Sequence, residues 1–331
     1  MLKKALLMVL TVTLLATSLH TSPANAAITL RVGMEDPLES DMGALAKRFK
    51  EIVEQLSGGE LQIELFPNSA LGDGTEMVQN ARTGTLDMAL IGTGQAIPFV
   101  SEIGVLILPY VIESHYDAVK ATTGGLNKWL NDVCIKKGGF RILGWTYSNF
   151  RHFTNSKRPV TCLEDLKGLK VRTNPNKLMI GIWEAFGAVP VPMGWAETFT
   201  ALQQGVVDGQ DNPYIVNYTV KFHEIQKYVT ELHYNYSLQP LVIGEKVFKG
   251  LSPEHQAILE RAGMEAQMYC LCFQMLESEK AKQKLLENGM QLTVLKDESE
   301  WMEKGKAIWP QFYDFVGGKE ALDTALKLMG K

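Results

Sequence analysis

Catalysis shows first in the spacing of histidine, serine, cysteine and glycine, and here those residues fall into no catalytic pattern. His223-Glu224 opens like the zinc motif H-E-x-x-H, but Lys227 stands where the second histidine is required. Gly92-Thr93-Gly94 lacks the third glycine of a dinucleotide-binding turn, and neither G-x-S-x-G nor the phosphate loop G-x-x-x-x-G-K-S/T occurs. His115, His152, His223, His233 and His255 are scattered without ligand spacing. Cys134, Cys162, Cys270 and Cys272 make no C-x-x-C pair and read as apolar packing residues, although four cysteines admit three full disulfide pairings in an oxidising compartment. No catalytic residue, metal site or cofactor is expected. A serine, histidine and aspartate brought together from distant positions stays open as the basis of an enzyme.

The elements that must position any site follow from composition and periodicity. The 331 residues are 46% hydrophobic and 21% charged, which fits a globular chain of about two domains, each at roughly 100–200 residues. Lysine and arginine number 33 against 37 acidic residues, a net charge of -4 with no basic block, which excludes a nucleic-acid partner. After Ala27 the chain alternates strand and helix. A strand at 29–34 precedes Met42, Leu45, Ala46, Phe49, Ile52, Val53 and Leu56 on one helix face, which Gly58-Gly59 ends. Leu61, Ile63 and Leu65 alternate with Gln62 and Glu64 as a second strand. A helix over 75–83 and a strand over 86–91 complete a β-α-β-α-β run and so a parallel or mixed sheet. A strand at 140–145 precedes a second α/β unit over roughly 150–235, with strands at 169–173, 188–192 and 206–210 and helices at 176–186 and 196–204.

The last third is different. Ser252 with Pro253 caps a helix running to about Glu287, on the order of 50 Å long, enough to lie along both domains. Met264, Met268, Leu271, Met275 and Leu276 are its expected core stripe. At the other end, Lys3-Lys4, the apolar run Ala5–Leu15 and Ala24-Asn25-Ala26 make a secretory signal, with cleavage expected after Ala26. The mature chain then loses two lysines from a net charge of -4 and carries -6. No later apolar run reaches about 18 residues, so no membrane insertion of the mature chain is expected and its compartment is the periplasm.

One stretch is specific enough to name a family. Gly168-Leu169-Lys170-Val171-Arg172 is followed about 30 residues later by Ala201-Leu202-Gln203-Gln204-Gly205-Val206-Val207-Asp208-Gly209-Gln210-Asp211-Asn212. Phe66-Pro67-Asn68-Ser69-Ala70-Leu71-Gly72, Gly84-Thr85-Leu86-Asp87-Met88 and Leu108-Pro109-Tyr110 stand in order before it. This set resembles the extracytoplasmic solute receptors of tripartite ATP-independent periplasmic (TRAP) transporters, the DctP type, over most of the mature chain.

The resemblance implies a two-domain periplasmic-binding-protein-like α/β fold with mixed sheets, a ligand cleft between the domains and the long helix spanning both. It places 27–149 with about 238–274 in the first domain and 150–237 with about 275–331 in the second, with two strands crossing between them. It implies that Arg172 pairs with a ligand carboxylate, for which a guanidinium offers two parallel donors. Asn212 would donate to the same acid group, Trp195 would lie over the ligand, and Arg151 matches a second arginine found in part of the family. Thr93, Gln95, Phe150 and Asp211 complete the candidate ligand-binding set. Gly92 and Gln95 stand where sialic-acid receptors carry glutamate and arginine, which argues against sialic acid. With Trp195, Phe150 and Tyr147 nearby, there is room for a flatter or more apolar acid, and C4-dicarboxylates, 2-oxo or hydroxy acids, sugar acids and amino-acid-derived or aromatic acids all stay open.

The implied function is capture of a small carboxylate and delivery to the small and large membrane subunits of a TRAP transporter, without bond chemistry. The alternatives are an exported enzyme acting on an acidic metabolite, and a receptor feeding a signalling partner.

Overall fold

The computed structural model describes residues 27–331; the signal segment and its cleavage after Ala26 lie outside them. Eleven strands follow in chain order: β1 (Ile28–Met34), β2 (Leu61–Phe66), β3 (Met88–Leu90), β4 (Phe140–Phe150), β5 (His152–Asn155), β6 (Lys170–Thr173), β7 (Val189–Pro192), β8 (Gly209–Asn212), β9 (Tyr228–Glu231), β10 (Tyr236–Gly244) and β11 (Gln291–Val294). They form two mixed sheets, β2-β1-β3-β10-β4 and β11-β9-β5-β8-β6-β7. In the first, β1 runs parallel to β2 and β3, while β10 is antiparallel to β3 and β4. In the second, β6 is parallel to β7 and β8, and β5 is antiparallel to β8 and β9.

Local chemistry explains the parallel run. Ser40 caps the helix Asp41–Leu56 by accepting from the Gly43 N–H, and the chain leaves it through Ser57-Gly58-Gly59. Asp73 and Glu76 form a capping box on the helix Gly74–Thr83, which Gly84 closes at φ 84°. Each helix returns the chain to the same end of the sheet, so the carboxyl ends of β1 and β3 open side by side.

Two segments connect the sheets. β4 and β5 are one strand interrupted at Arg151, and β9 and β10 are separated by 232–235. The crossings are bonded to each other, with the Arg151 N–H donating to the Asn235 carbonyl at 2.9 Å. The bend falls at Asn149, whose φ of 82° is left-handed and uncommon for a residue with a side chain. Opposite it, β10 shifts register between Ser237 and Leu238.

The helix Pro253–Glu287 spans both sheets, as its length required. Its first half lies on β4 and on the helix Asp41–Leu56, and its second half on the helix Tyr214–Thr219. Glycines set the first contact. A Cβ on Gly263 would stand 2.2 Å from the Leu143 carbonyl oxygen, and one on Gly144 2.6 Å from that of Gly263. The expected core stripe is corrected: Met264, Met268, Met275 and Leu276 are exposed. The inward face is instead built of Leu259, Ala262, Ala266, Cys270, Ala281 and Leu285, because a helix this close to a strand must present small side chains. Cys134 and Cys270 are buried, Cys162 half-buried and Cys272 exposed, all four as free thiols. The C-terminal helix Lys319–Met329 also departs from its expected grouping. It packs on the helices His115–Thr123 and Gly125–Val133 beside the first sheet, burying Leu322, Ala325 and Met329.

Candidate functional site

Strand ends from both sheets converge on one cleft. Glu35 and Asp36 follow β1, Gly92 to Gln95 follow β3, Asn174 follows β6, Trp195 follows β7, and Asn212 ends β8. The carboxyl ends of parallel strands are where open α/β sheets present their ligands. The space between them is about 430 Å³ and adjoins a second of about 410 Å³ toward Thr93 and Asn235.

The two arginines of the cleft differ. Arg172 is 5% exposed, and its Nη2 donates to the Met193 carbonyl at 3.0 Å. Its Nε has no partner among the described residues, and no carboxylate lies within ion-pair distance. Burial, with Arg151 nearby, pushes its guanidinium down to about 10. The Trp195 ring stands 5.3 Å from it and is held edge-on by Phe222 at 5.9 Å. Arg151 is spent internally, its Nε on the Asp211 carboxylate and its Nη2 on the Asp211 carbonyl, with the Tyr234 hydroxyl donating to the same carboxylate. Burial works against the Arg151 charge, and Asp211 and Tyr234 together outweigh it.

Amides position the far side of β8. Asn212 Nδ2 donates to Gln210 Oε1 at 2.6 Å, and Gln210 Nε2 in turn donates to Thr154 and Asn217, both at 2.8 Å. Asn212 is therefore oriented, with one N–H still free to face the cleft. On the opposite wall Gln95 Nε2 donates to Glu35 Oε1 at 2.5 Å and the Gly92 N–H to Glu35 Oε2 at 3.0 Å. Burial raises Glu35, and those two bonds pull it back; burial, with Asp41 and Glu35 beside it, pushes Asp36 well above the usual carboxylate range.

The structure brings Arg172, Asn212, Trp195, Arg151 and Gln95 together around the cleft, with Thr93 in its adjoining part. Asp211 points to Arg151 and Tyr234 instead, since alternate residues of a strand face opposite ways. Phe150 packs on His233 at 4.9 Å and Tyr236 at 5.1 Å, and the Tyr147 hydroxyl bonds Thr122 and Gln267, so neither supplies the apolar wall expected of them. Sequence reasoning passed over Glu35, Asp36, Asn174 and Gln239. The signal for the first two was in view, an acidic pair directly after a strand of a parallel run.

The chain has relatives of known function. The 2,3-diketo-L-gulonate-binding periplasmic protein of Escherichia coli is 34% identical over 244 residues, 74% of each chain. The C4-dicarboxylate-binding periplasmic protein of Rhodobacter capsulatus is 29% identical over 252 residues, 76% of this chain and 75% of that one. A TRAP periplasmic solute-binding protein of Polaromonas, solved bound to D-erythronate, superposes with a TM-score of 0.85 at 31% identity, covering 90% of this chain and 98% of the other. The model of the bacterial extracellular solute-binding proteins, family 7, matches residues 32–314. The chain therefore belongs to that family, the DctP-type solute receptors of TRAP transporters.

Proposed function

We propose that this receptor takes a small organic acid by its carboxylate on Arg172, with Asn212 donating to the same group and Trp195 covering it. The observation that carries the reading is the buried Arg172 Nε–H with no partner among the described residues. Leaving such a donor unpaired costs on the order of 1–3 kcal/mol, which an incoming carboxylate recovers. Arg151 contributes positive potential and holds Asp211, without meeting the ligand directly.

The units that close on the acid are 27–149 with about 238–274, and 150–237 with about 275 onward, the C-terminal helix riding on the first. Asn149 is the hinge between them, and closure excludes water and strengthens the arginine–carboxylate pair. No described helix is long and apolar enough to cross a membrane. The signal segment directs the chain to the periplasm with cleavage after Ala26, and the closed form docks on the small and large membrane subunits of the transporter. The acid is returned unchanged. Thermal melts with a panel of small acids test this: a bound acid raises the melting temperature, and mass spectrometry of the released molecule recovers it unaltered. A chemically altered product would contradict a receptor and restore the enzyme reading.

A further inference from the structure

The fixed charges of the cleft limit what the far end of the acid can be. Arginines 151 and 172 are the only cations lining it among the described residues, and Arg151 is already paired. Against them stand Glu35 and Asp36, on the wall after β1. A ligand with one carboxylate uses the one open guanidinium. A second carboxylate finds no cation left and faces the acidic wall after β1.

That wall is rich in acceptors. Both oxygens of Glu35 already accept a hydrogen bond, from Gly92 and from Gln95, with lone pairs remaining. Gln95 donates one amide N–H to Glu35, and its Oε1 is buried without a partner among the described residues. Asn174 Oδ1, at the end of β6, is buried without a partner. The unmet needs are thus a donor at Arg172 and acceptors across the cleft, and the complement of that pattern defines a ligand.

We infer that the solute is a monocarboxylic acid whose other end carries hydrogen-bond donors, hydroxyl or ammonium, directed at Glu35 and Asn174, and that dicarboxylates are rejected. This rests on capture at Arg172 and narrows it. It also narrows the acid classes that the sequence left open.

Isothermal titration of the mature protein with D-erythronate, proline, succinate and butyrate separates the cases. Erythronate or proline is expected to bind about 100-fold or more tighter than succinate and butyrate, the discrimination due to one unpaired buried charge or donor. Which of the two binds identifies the donor as hydroxyl or ammonium. Glu35→Gln, with its fold checked by circular dichroism, is expected to weaken that ligand at least about tenfold and to narrow the gap to succinate. Succinate or butyrate binding as tightly as the donor-bearing acids, and lost in Arg172→Ala, overturns the inference while leaving capture at Arg172 standing. Tight binding that survives Arg172→Ala defeats the capture reading itself.

Discussion

At the residue scale, two arginines of one type in one cleft have opposite roles, and stability separates them. Arg151 neutralises a buried carboxylate that also accepts from Tyr234, so Arg151→Ala leaves Asp211 uncompensated. Breaking such a pair costs about 3–5 kcal/mol, and denaturant unfolding is expected to show a loss of that size. Arg172 is desolvated without an ion-pair partner, so Arg172→Ala is expected to unfold no more easily than wild type in the absence of ligand. A second residue-scale prediction concerns His152, on β5 opposite Asn212. Burial pushes its imidazole down to about 3, below the ordinary value near 6.5. The unfolded chain then takes up the proton first as pH falls. His152 therefore costs nothing above about pH 6.5, and stability is lost from there down toward pH 3, by about 2 kcal/mol at pH 5. Melts across that range are expected to show a shallower pH dependence in His152→Gln, whatever its stability at pH 7.

At the element scale, the fold is fixed by close approaches that only glycine permits. Gly263→Ala drives a methyl into the Leu143 carbonyl, and calorimetry is expected to show a loss of about 1–3 kcal/mol or more. Gly94 acts between the sheets. Its carbonyl accepts from Asn176 Nδ2 at 3.1 Å, and a Cβ there would meet Asn176 at 3.1 Å and Asn174 at 3.3 Å. Gly94→Val is expected to crowd Asn174 and Asn176 and to weaken ligand about fivefold to 100-fold, read by calorimetric titration. These contacts explain what the sequence could and could not tell. The β-α-β-α-β run, the long helix and its cap were legible because periodicity and capping are local. The Met264 stripe misled because a 3.6-residue apolar repeat shows that a helix has an apolar face and not which face is buried. Glycine and alanine, which carry little hydrophobic signal, took the strand-facing side. At the site, Arg172, Asn212 and Trp195 were reached through resemblance, whereas the Arg151–Asp211 pairing depends on which way β8 faces, and only the folded register supplies that.

At the scale of the whole molecule, the net charge of -4, or -6 with the expected cleavage after Ala26, gives no overall attraction for the proposed anion, so the pull on it has to be local. The architecture supplies it by placing strand ends from two sheets around one desolvated guanidinium and joining the sheets through two bonded crossings. The second sheet carries Arg172, Asn212 and Trp195, proposed to hold the carboxylate, and the first carries the acidic wall proposed to select the rest of the ligand. On the proposed reading affinity and closure are one event, since the cleft is lined from both sheets. Calorimetric titration of the best-binding acid from the panel into wild type and into Arg172→Ala tests that account most directly. Loss of about 2–5 kcal/mol, roughly 30-fold to more than 1000-fold in Kd, with the variant still folded, is the expected result. Equal affinity in the two proteins would contradict it.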